Sequence, residues 1–110
     1  MAKILIADDQ LVMRNMFKVI LQDEDHELTL AINGADAYDK ARAAQFDLVL
    51  SDLYMPELDG IELTQKLRAL SKYNGVPILI ISTEKSAGKK QLGREAGANG
   101  WIIKPITKDR

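Results

Sequence analysis

Asp8 and Asp9, then Asp52, then Ser82 with Thr83, and finally Lys104 are far apart in the chain, yet each group closes a short apolar run. Carboxylates gathered in one crevice repel and raise one another's pKa unless a cation joins them, so three such acids together ask for a hard divalent ion. Oxygen-only ligands favour magnesium, manganese or calcium over zinc. That chemistry depends on the elements that carry these residues ending at one place.

The apolar runs are Ile4 to Ala7, Leu28 to Ala31, Leu48 to Leu50, Ile78 to Ile81 and Trp101 to Ile103. Continuous apolar runs suit strands of a parallel sheet, buried on both faces. Segments of helical spacing lie between them. Val12, Met16, Val19 and Ile20 share one helical face, Ala37, Ala41 and Ala44 a second, and Ile61, Leu63, Leu67 and Leu70 a third; Leu92 and Ala96 suggest a fourth. Strict alternation predicts βαβ units with right-handed crossovers and a doubly wound, five-stranded parallel α/β sheet. The ligand crevice of such a sheet lies beyond the carboxyl ends of its strands, where these polar residues stand.

The 110 residues, 46% hydrophobic and 28% charged, suit one domain spanning 1–110, with no linker or repeat to suggest a second. Fifteen Lys and Arg nearly cancel sixteen Asp and Glu, so the domain lacks the basic field that would draw nucleic acid or an anionic membrane by itself. The absence of cysteine removes disulfides, thiolate zinc sites and cysteine nucleophiles. Apolar runs too short to span a bilayer, and a strand pattern where a signal peptide would begin, predict a cytoplasmic protein.

Taken singly, these residues also have plain structural uses. Asp9 suits a helix cap before Gln10, Asp59 with Gly60 suits a turn before the third helix, and Lys104 suits a solvated charge. Their joint arrival at strand ends favours a site. His26, the sole histidine, is expected in a solvated position among acids, and Lys85, Lys89 and Lys90 on an exposed face of the fourth helix.

The motifs "ILIADD", "LVLSDLYMPELDG", "PILIISTE" and "GANGWIIKP" closely resemble the receiver domain of two-component response regulators, over Lys3 to Pro105. The resemblance implies a flavodoxin-like receiver fold with strand order 2-1-3-4-5. It implies Asp52 as phosphoacceptor, supplied by a histidine kinase or a small phosphodonor, and Asp9 as a direct Mg2+ ligand, Mn2+ being an alternative. Asp8 acts beside it or through water, and the Tyr54 backbone carbonyl completes the metal set. Lys104 matches the phosphate-pairing lysine, with its bond to Pro105 expected cis. Ser82, five residues after Pro77, matches the switch hydroxyl, and Trp101 takes the switch-aromatic position. Such a domain catalyses only its own phosphorylation and dephosphorylation.

The chemistry agrees with these roles. Phosphoryl transfer needs an in-line nucleophile and positive charge on the equatorial oxygens, and an ionised carboxylate needs no general base. Signalling then requires the new charge to bias a two-state element. Ser82 is expected to move toward the phosphoryl oxygens and Trp101 to turn into the vacated space, reshaping the surface between the fourth helix and fifth strand. Inverting a one-to-ninety-nine equilibrium takes about 5.5 kcal/mol. Tyr54 and Glu84 occupy the positions that tune phosphate lifetime in the family, and the Tyr54 ring is expected to slow hydrolysis.

The chain stops at Ile106 to Arg110, where a receiver begins its fifth helix, so that helix is expected to be missing or truncated. The sheet face it would cover is expected to be bare, favouring lower stability and a homodimer. A haloacid-dehalogenase-type phosphatase is the enzymatic rival, but it carries a second aspartate two residues after its nucleophile, where Tyr54 stands. The expected output is chemotactic, by docking on the flagellar motor switch. The alternatives are a longer regulator with a DNA-binding or enzymatic domain, and an unphosphorylated docking module.

Overall fold

The computed structural model describes residues 2–21 and 26–105. Strand and helix alternate as β1 (Lys3–Ala7), α1 (Leu11–Leu21), β2 (Glu27–Ala31), α2 (Gly34–Ala43), β3 (Leu48–Asp52), α3 (Gly60–Arg68), β4 (Ile78–Ser82), α4 (Ala87–Ala96) and β5 (Gly100–Ile103), with a 3₁₀ turn at Ser71–Tyr73 after α3. All pairings are parallel, in the order β2-β1-β3-β4-β5. This is the expected doubly wound sheet. The strands extend the apolar runs by at most two residues because the polar residues that close β3 and β4, Ser51, Asp52 and Ser82, still pair in register.

Connections fan out from β1 in both directions, so the sheet reverses its winding between β1 and β3. Ala7 pairs with Ser51 there, and Asp52 pairs with Ile81 on the next strand. The residues after β1 and at the end of β3 are therefore level with each other.

Two apolar layers sandwich the sheet. On one side Ala37 and Ala41 of α2 and Leu63 and Leu67 of α3 pack on Leu5, Val49 and Ile78. On the other, Phe17 of α1 packs on Ile4, Ile6, Leu50 and Ile81. Among the described residues α1 is the helix on that second face, and Leu48, Leu79 and Ile102 there are only half-buried. The fifth-helix expectation falls on residues 106–110, outside those described.

The face expected to bury α1 is turned outward. Val12 (73%), Met16 and Val19 (59%) are exposed, and Phe17 leads the buried face with Met13 and Leu21 beside it. α1 is apolar around most of its circumference, so spacing alone offered two stripes, and the large Phe17 ring took the sheet. α4 shows the same kind of correction, with Leu92 exposed and Gly93 and Ala96 inward. Gly93 allows close approach, since a Cβ there would lie 3.0 Å from the Trp101 ring.

Local chemistry sets the helix ends. Asn33 caps α2, Asp59 and Glu62 form a reciprocal capping box on α3, Ser86 caps α4, and Gly97 closes α4 at φ 111°. The Asp59 reading as turn and cap chemistry thus stands. Arg68 secures the far end of the sheet, donating from Nε to the Gly97 carbonyl (3.0 Å) and from Nη2 to Asn99 Oδ1 (2.7 Å). His26 is half-buried rather than solvated. Its Nδ1 accepts from the Ala2 N–H at 3.1 Å while the Glu27 N–H donates to the Ala2 carbonyl, joining the chain start to β2. No helix of the described residues is long and apolar enough to cross a membrane.

Candidate functional site

Parallel register brings the expected residues to one sheet edge. Asp8 follows β1, Asp52 closes β3, Ser82 closes β4 and Lys104 follows β5, whose ladder continues through the Lys104 N–H to the Ser82 carbonyl at 3.0 Å. Carboxylate oxygens of Asp8, Asp9 and Asp52 all lie within 4.8 Å of one another. Lys104 Nζ stands 3.3 Å from Asp52 Oδ1 and 3.7 Å from Asp8 Oδ2. The Lys104–Pro105 peptide bond is cis.

The two inner acids are held differently from Asp9. Asp8 is buried, and its Oδ1 accepts from the Gln10 N–H at 2.9 Å. Thus Asp8, rather than Asp9, supplies the turn before α1. Asp8 Oδ2 has no hydrogen bond, because Lys104 at 3.7 Å is a charge neighbour beyond hydrogen-bond reach. Asp52 Oδ1 accepts from the Leu53 N–H at 2.9 Å. Asp9 is exposed at the rim.

Burial pushes the Asp8 carboxyl up, and the Asp52 and Asp9 charges add to it against the Gln10 N–H and Lys104. Burial likewise raises Asp52, opposed chiefly by Lys104. Burial outweighs one ammonium shared between two acids.

Ser82 is buried, and its Oγ accepts from the Glu84 N–H at 3.1 Å. Thr83 is exposed beside it. The Glu84 carbonyl accepts from Trp101 Nε1 at 2.9 Å, and Glu84 Oε1 accepts from the Tyr54 hydroxyl at 2.7 Å. The hydrogen bond to Glu84 raises the Tyr54 phenol, and the same bond, with help from the Ser86 N–H, lowers the Glu84 carboxyl. Glu84 therefore touches Ser82, Trp101 and Tyr54. Trp101 is half-buried on Gly93.

A recess of about 300 Å³ has Asp9, Gln10, Asp52, Tyr54, Ser82 and Lys104 on its walls. Three supporting residues were not foreseen from the sequence. Arg14 of α1 donates from Nη1 to the Asp8 carbonyl at 2.8 Å, Gln10 supplies its N–H, and Gly60 lets α3 start against the backbone of Asp52, whose carbonyl a Cβ would strike. The Asp-Gly pair was the available signal for Gly60; an arginine in the first turns of a helix gives no such cue.

Comparison with known proteins agrees with this geometry. The family model described as the response regulator receiver domain matches residues 4–110. The chain is 33% identical over 105 residues to the transcriptional regulatory protein ResD of Bacillus subtilis, covering 96% of this chain and 42% of that protein. It thus spans about two-fifths of the length of the curated relatives it matches. The chemotaxis response regulator CheY4 of Vibrio cholerae superposes with TM-score 0.94 at 41% identity, covering 99% of this chain and 91% of that one. The response regulator TrrA of Thermotoga maritima, solved in complex with Mg(2+)-BeF, superposes with TM-score 0.85 at 30% identity over 99% of this chain and 91% of that one. With its strand order, its acidic strand ends and a family match over nearly its whole length, the chain belongs to the response regulator receiver domain family.

Proposed function

We propose that this chain accepts a phosphoryl group on Asp52 from a histidine kinase or a small phosphodonor and, while it carries the group, presents an altered protein-docking surface between α4 and β5. The observation that carries the reading is the convergence of Asp8, Asp9 and Asp52, with Lys104 beside the first and last of them. Three carboxylates against one ammonium leave two uncompensated negative charges, and Asp8 Oδ2 is buried without a hydrogen bond. An all-oxygen set of that charge fits Mg2+, with Mn2+ also suitable.

Asp9, Asp52 and the Tyr54 main-chain carbonyl would hold the ion, with Asp8 direct or through water. When bound, it supplies positive charge that offsets repulsion between Asp52 and the incoming phosphate. The chain's own residues do the rest. An Asp52 oxygen attacks phosphorus as the bond to the donor's leaving atom breaks, forming a mixed anhydride. Lys104 Nζ pairs with an equatorial oxygen, and the Ser82 hydroxyl rotates from the Glu84 N–H to donate to another. The domain thereby catalyses only its own phosphorylation and the later loss of phosphate.

Release of the Glu84 N–H by Ser82 frees the segment whose carbonyl holds the Trp101 indole. A cavity of about 130 Å³ lies beside that ring, lined by Lys90, Arg94, Asn99 and Trp101, and supports the α4–β5 face as the output surface. For the target, a chemotaxis-type partner at the flagellar motor switch is the first reading, supported by the likeness to CheY4 along most of that protein. The second is the receiver of a longer, DNA-binding regulator, supported by the likeness to ResD and SrrA over 42% of their lengths. Both place the domain in the cytoplasm. Self-association through the α1 face belongs to the same proposal, because Leu79 and Ile102 are only half-buried there.

Intact mass after incubation with acetyl phosphate tests the acceptor. The expected result is a magnesium-dependent gain of one phosphoryl group, absent from Asp52→Asn. A docking module without phosphorylation would show no gain in either chain.

A further inference from the structure

β1 and β2 stay in register to their last residues, Ala7 against Ala31, and one further rung joins the Asp8 N–H to the Ala31 carbonyl at 3.1 Å. The next rung of a parallel ladder would run from the Asn33 N–H to the Asp8 carbonyl. β2 has left the sheet by then. The Ile32 N–H donates to Asp36 Oδ2 at 3.0 Å, Asn33 caps α2, and Gly34 sits so close to Leu58 that a Cβ would strike its carbonyl. The Asp8 carbonyl is taken instead by Nη1 of Arg14, at 2.8 Å.

Asp9 depends on that support more than its neighbours do. Asp8 and Asp52 are buried, and each has a carboxylate oxygen bonded to a main-chain N–H, whereas Asp9 is exposed and its carboxylate accepts no hydrogen bond among the described residues. Its place in the acidic cluster is therefore set by the main chain. Beyond the last rung, that main chain is fastened before α1 by the Gln10 N–H on Asp8 Oδ1 and by Arg14 on the Asp8 carbonyl.

We propose that Arg14 is a positioning residue for the divalent cation: by replacing the absent rung, it holds the turn that carries Asp9 within reach of Asp52. The inference rests on the reading of Asp8, Asp9 and Asp52 as a cation site. Among the described residues the ion pairs of Asp8 and Asp52 go to Lys104 and none goes to Arg14, so its hold is on the main chain. The sign of one effect separates positioning from charge. A guanidinium near the cluster repels a divalent cation, so deletion of its charge alone should tighten binding. Loss of positioning weakens binding instead, by about threefold to tenfold, less than is usual for groups bonded directly to a ligand's side chain.

Titration with Mn2+, followed by the paramagnetic resonance signal of the free ion, measures affinity without phosphate. Arg14→Met is expected to bind more weakly than the parent chain, and Arg14→Lys, which keeps a cationic donor on a long stem, to recover much of the loss. In chelator, the Gln10 amide should exchange with deuterium faster in Arg14→Met, which reads the turn with no ion present. In acetyl phosphate labelling, the Mg2+ concentration for half-maximal rate should rise by the same factor as the Mn2+ dissociation constant. Equal or tighter Mn2+ binding by Arg14→Met would overturn the proposal. So would a loss of stability toward denaturant with affinity intact, which is what a purely structural arginine would show. Asp9→Asn is the reference for the site itself. If it binds Mn2+ as tightly as the parent, the reading of the acidic cluster falls and the proposal with it, whereas loss in Asp9→Asn without loss in Arg14→Met overturns the proposal alone.

Discussion

Lys104 Nζ lies 3.3 Å from Asp52 Oδ1 and 3.7 Å from Asp8 Oδ2, so a single ammonium faces two buried carboxylates from two different strands. Asp8 Oδ2 has no hydrogen-bond partner among the described residues, and Lys104 is its charge neighbour. Replacing the cation by an apolar side chain of similar length, Lys104→Met, leaves both acids opposed only by main-chain N–H groups. The expected loss is about 1–3 kcal/mol at neutral pH without metal, below the full value for a buried pair because Lys104 keeps contact with water. Denaturant unfolding in the presence of a chelator measures it. Phosphorylation by acetyl phosphate should also fall, since the equatorial oxygens lose a partner.

Burial holds the Asp8 and Asp52 carboxyls above the ordinary value of 3.8, against the pull of Lys104. The folded chain therefore binds protons more tightly than the unfolded one, and this pair makes stability fall as pH rises. The loss begins near the ordinary value, where the unfolded carboxyls ionise, and is complete once pH exceeds both folded values. Asp36 works in the opposite direction: burial alone would raise it, but the Lys40 ammonium and the Ile32 N–H hold it low. Comparison with Asp8→Asn and Asp52→Asn isolates the pair. In chelator, both variants should melt above the parent chain at neutral pH and converge with it near pH ~3, and Mg2+ should raise the parent's melting temperature by several degrees.

Gly60 begins α3 directly against the backbone of Asp52, with its own N–H bonded to the Leu53 carbonyl at 2.7 Å. A Cβ there would strike the Asp52 carbonyl, a backbone atom that cannot swing aside. Gly60→Ala is expected to cost about 1–3 kcal/mol of stability and to slow phosphorylation by about tenfold or more, since misplacing a nucleophile by a fraction of an ångström is costly. Chemical denaturation and intact mass read the two effects.

Trp101 is the sole tryptophan, and its indole N–H is tied to the Glu84 carbonyl. If Ser82 leaves the Glu84 N–H on phosphorylation, this bond and the ring's environment change together. Beryllofluoride with magnesium should therefore alter Trp101 emission in the parent chain and leave it unaltered in Asp52→Asn. Unchanged emission in both would mean a fixed packing aromatic and a switch lying elsewhere.

Much of the site was legible because strand ends are marked by composition. Asp8, Asp52, Ser82 and Lys104 each follow β-branched or leucine-rich runs, and a parallel sheet brings the carboxyl ends of its strands to one edge whatever the side chains are. The α1 face was not legible. Val12, Met16 and Val19 repeat as regularly as Met13, Phe17 and Leu21, and only packing volume against Ile4, Ile6 and Leu50 distinguishes the stripes. His26 was misread for a related reason, since its hydrogen bond comes from Ala2, twenty-four residues away.

The sequence by itself determined the α/β alternation, the strand limits to within two residues and the identity of the groups at the strand ends. These follow from periodicity and residue type, which are local. Tertiary structure alone decided that Tyr54 reaches Glu84, that one lysine serves two acids and leaves Asp8 Oδ2 unbonded, and that Glu84 connects Ser82 to Trp101. Apart from the local Ser82–Glu84 contact, those relationships join residues 17 or more positions apart, and are set by how the strands and helices pack.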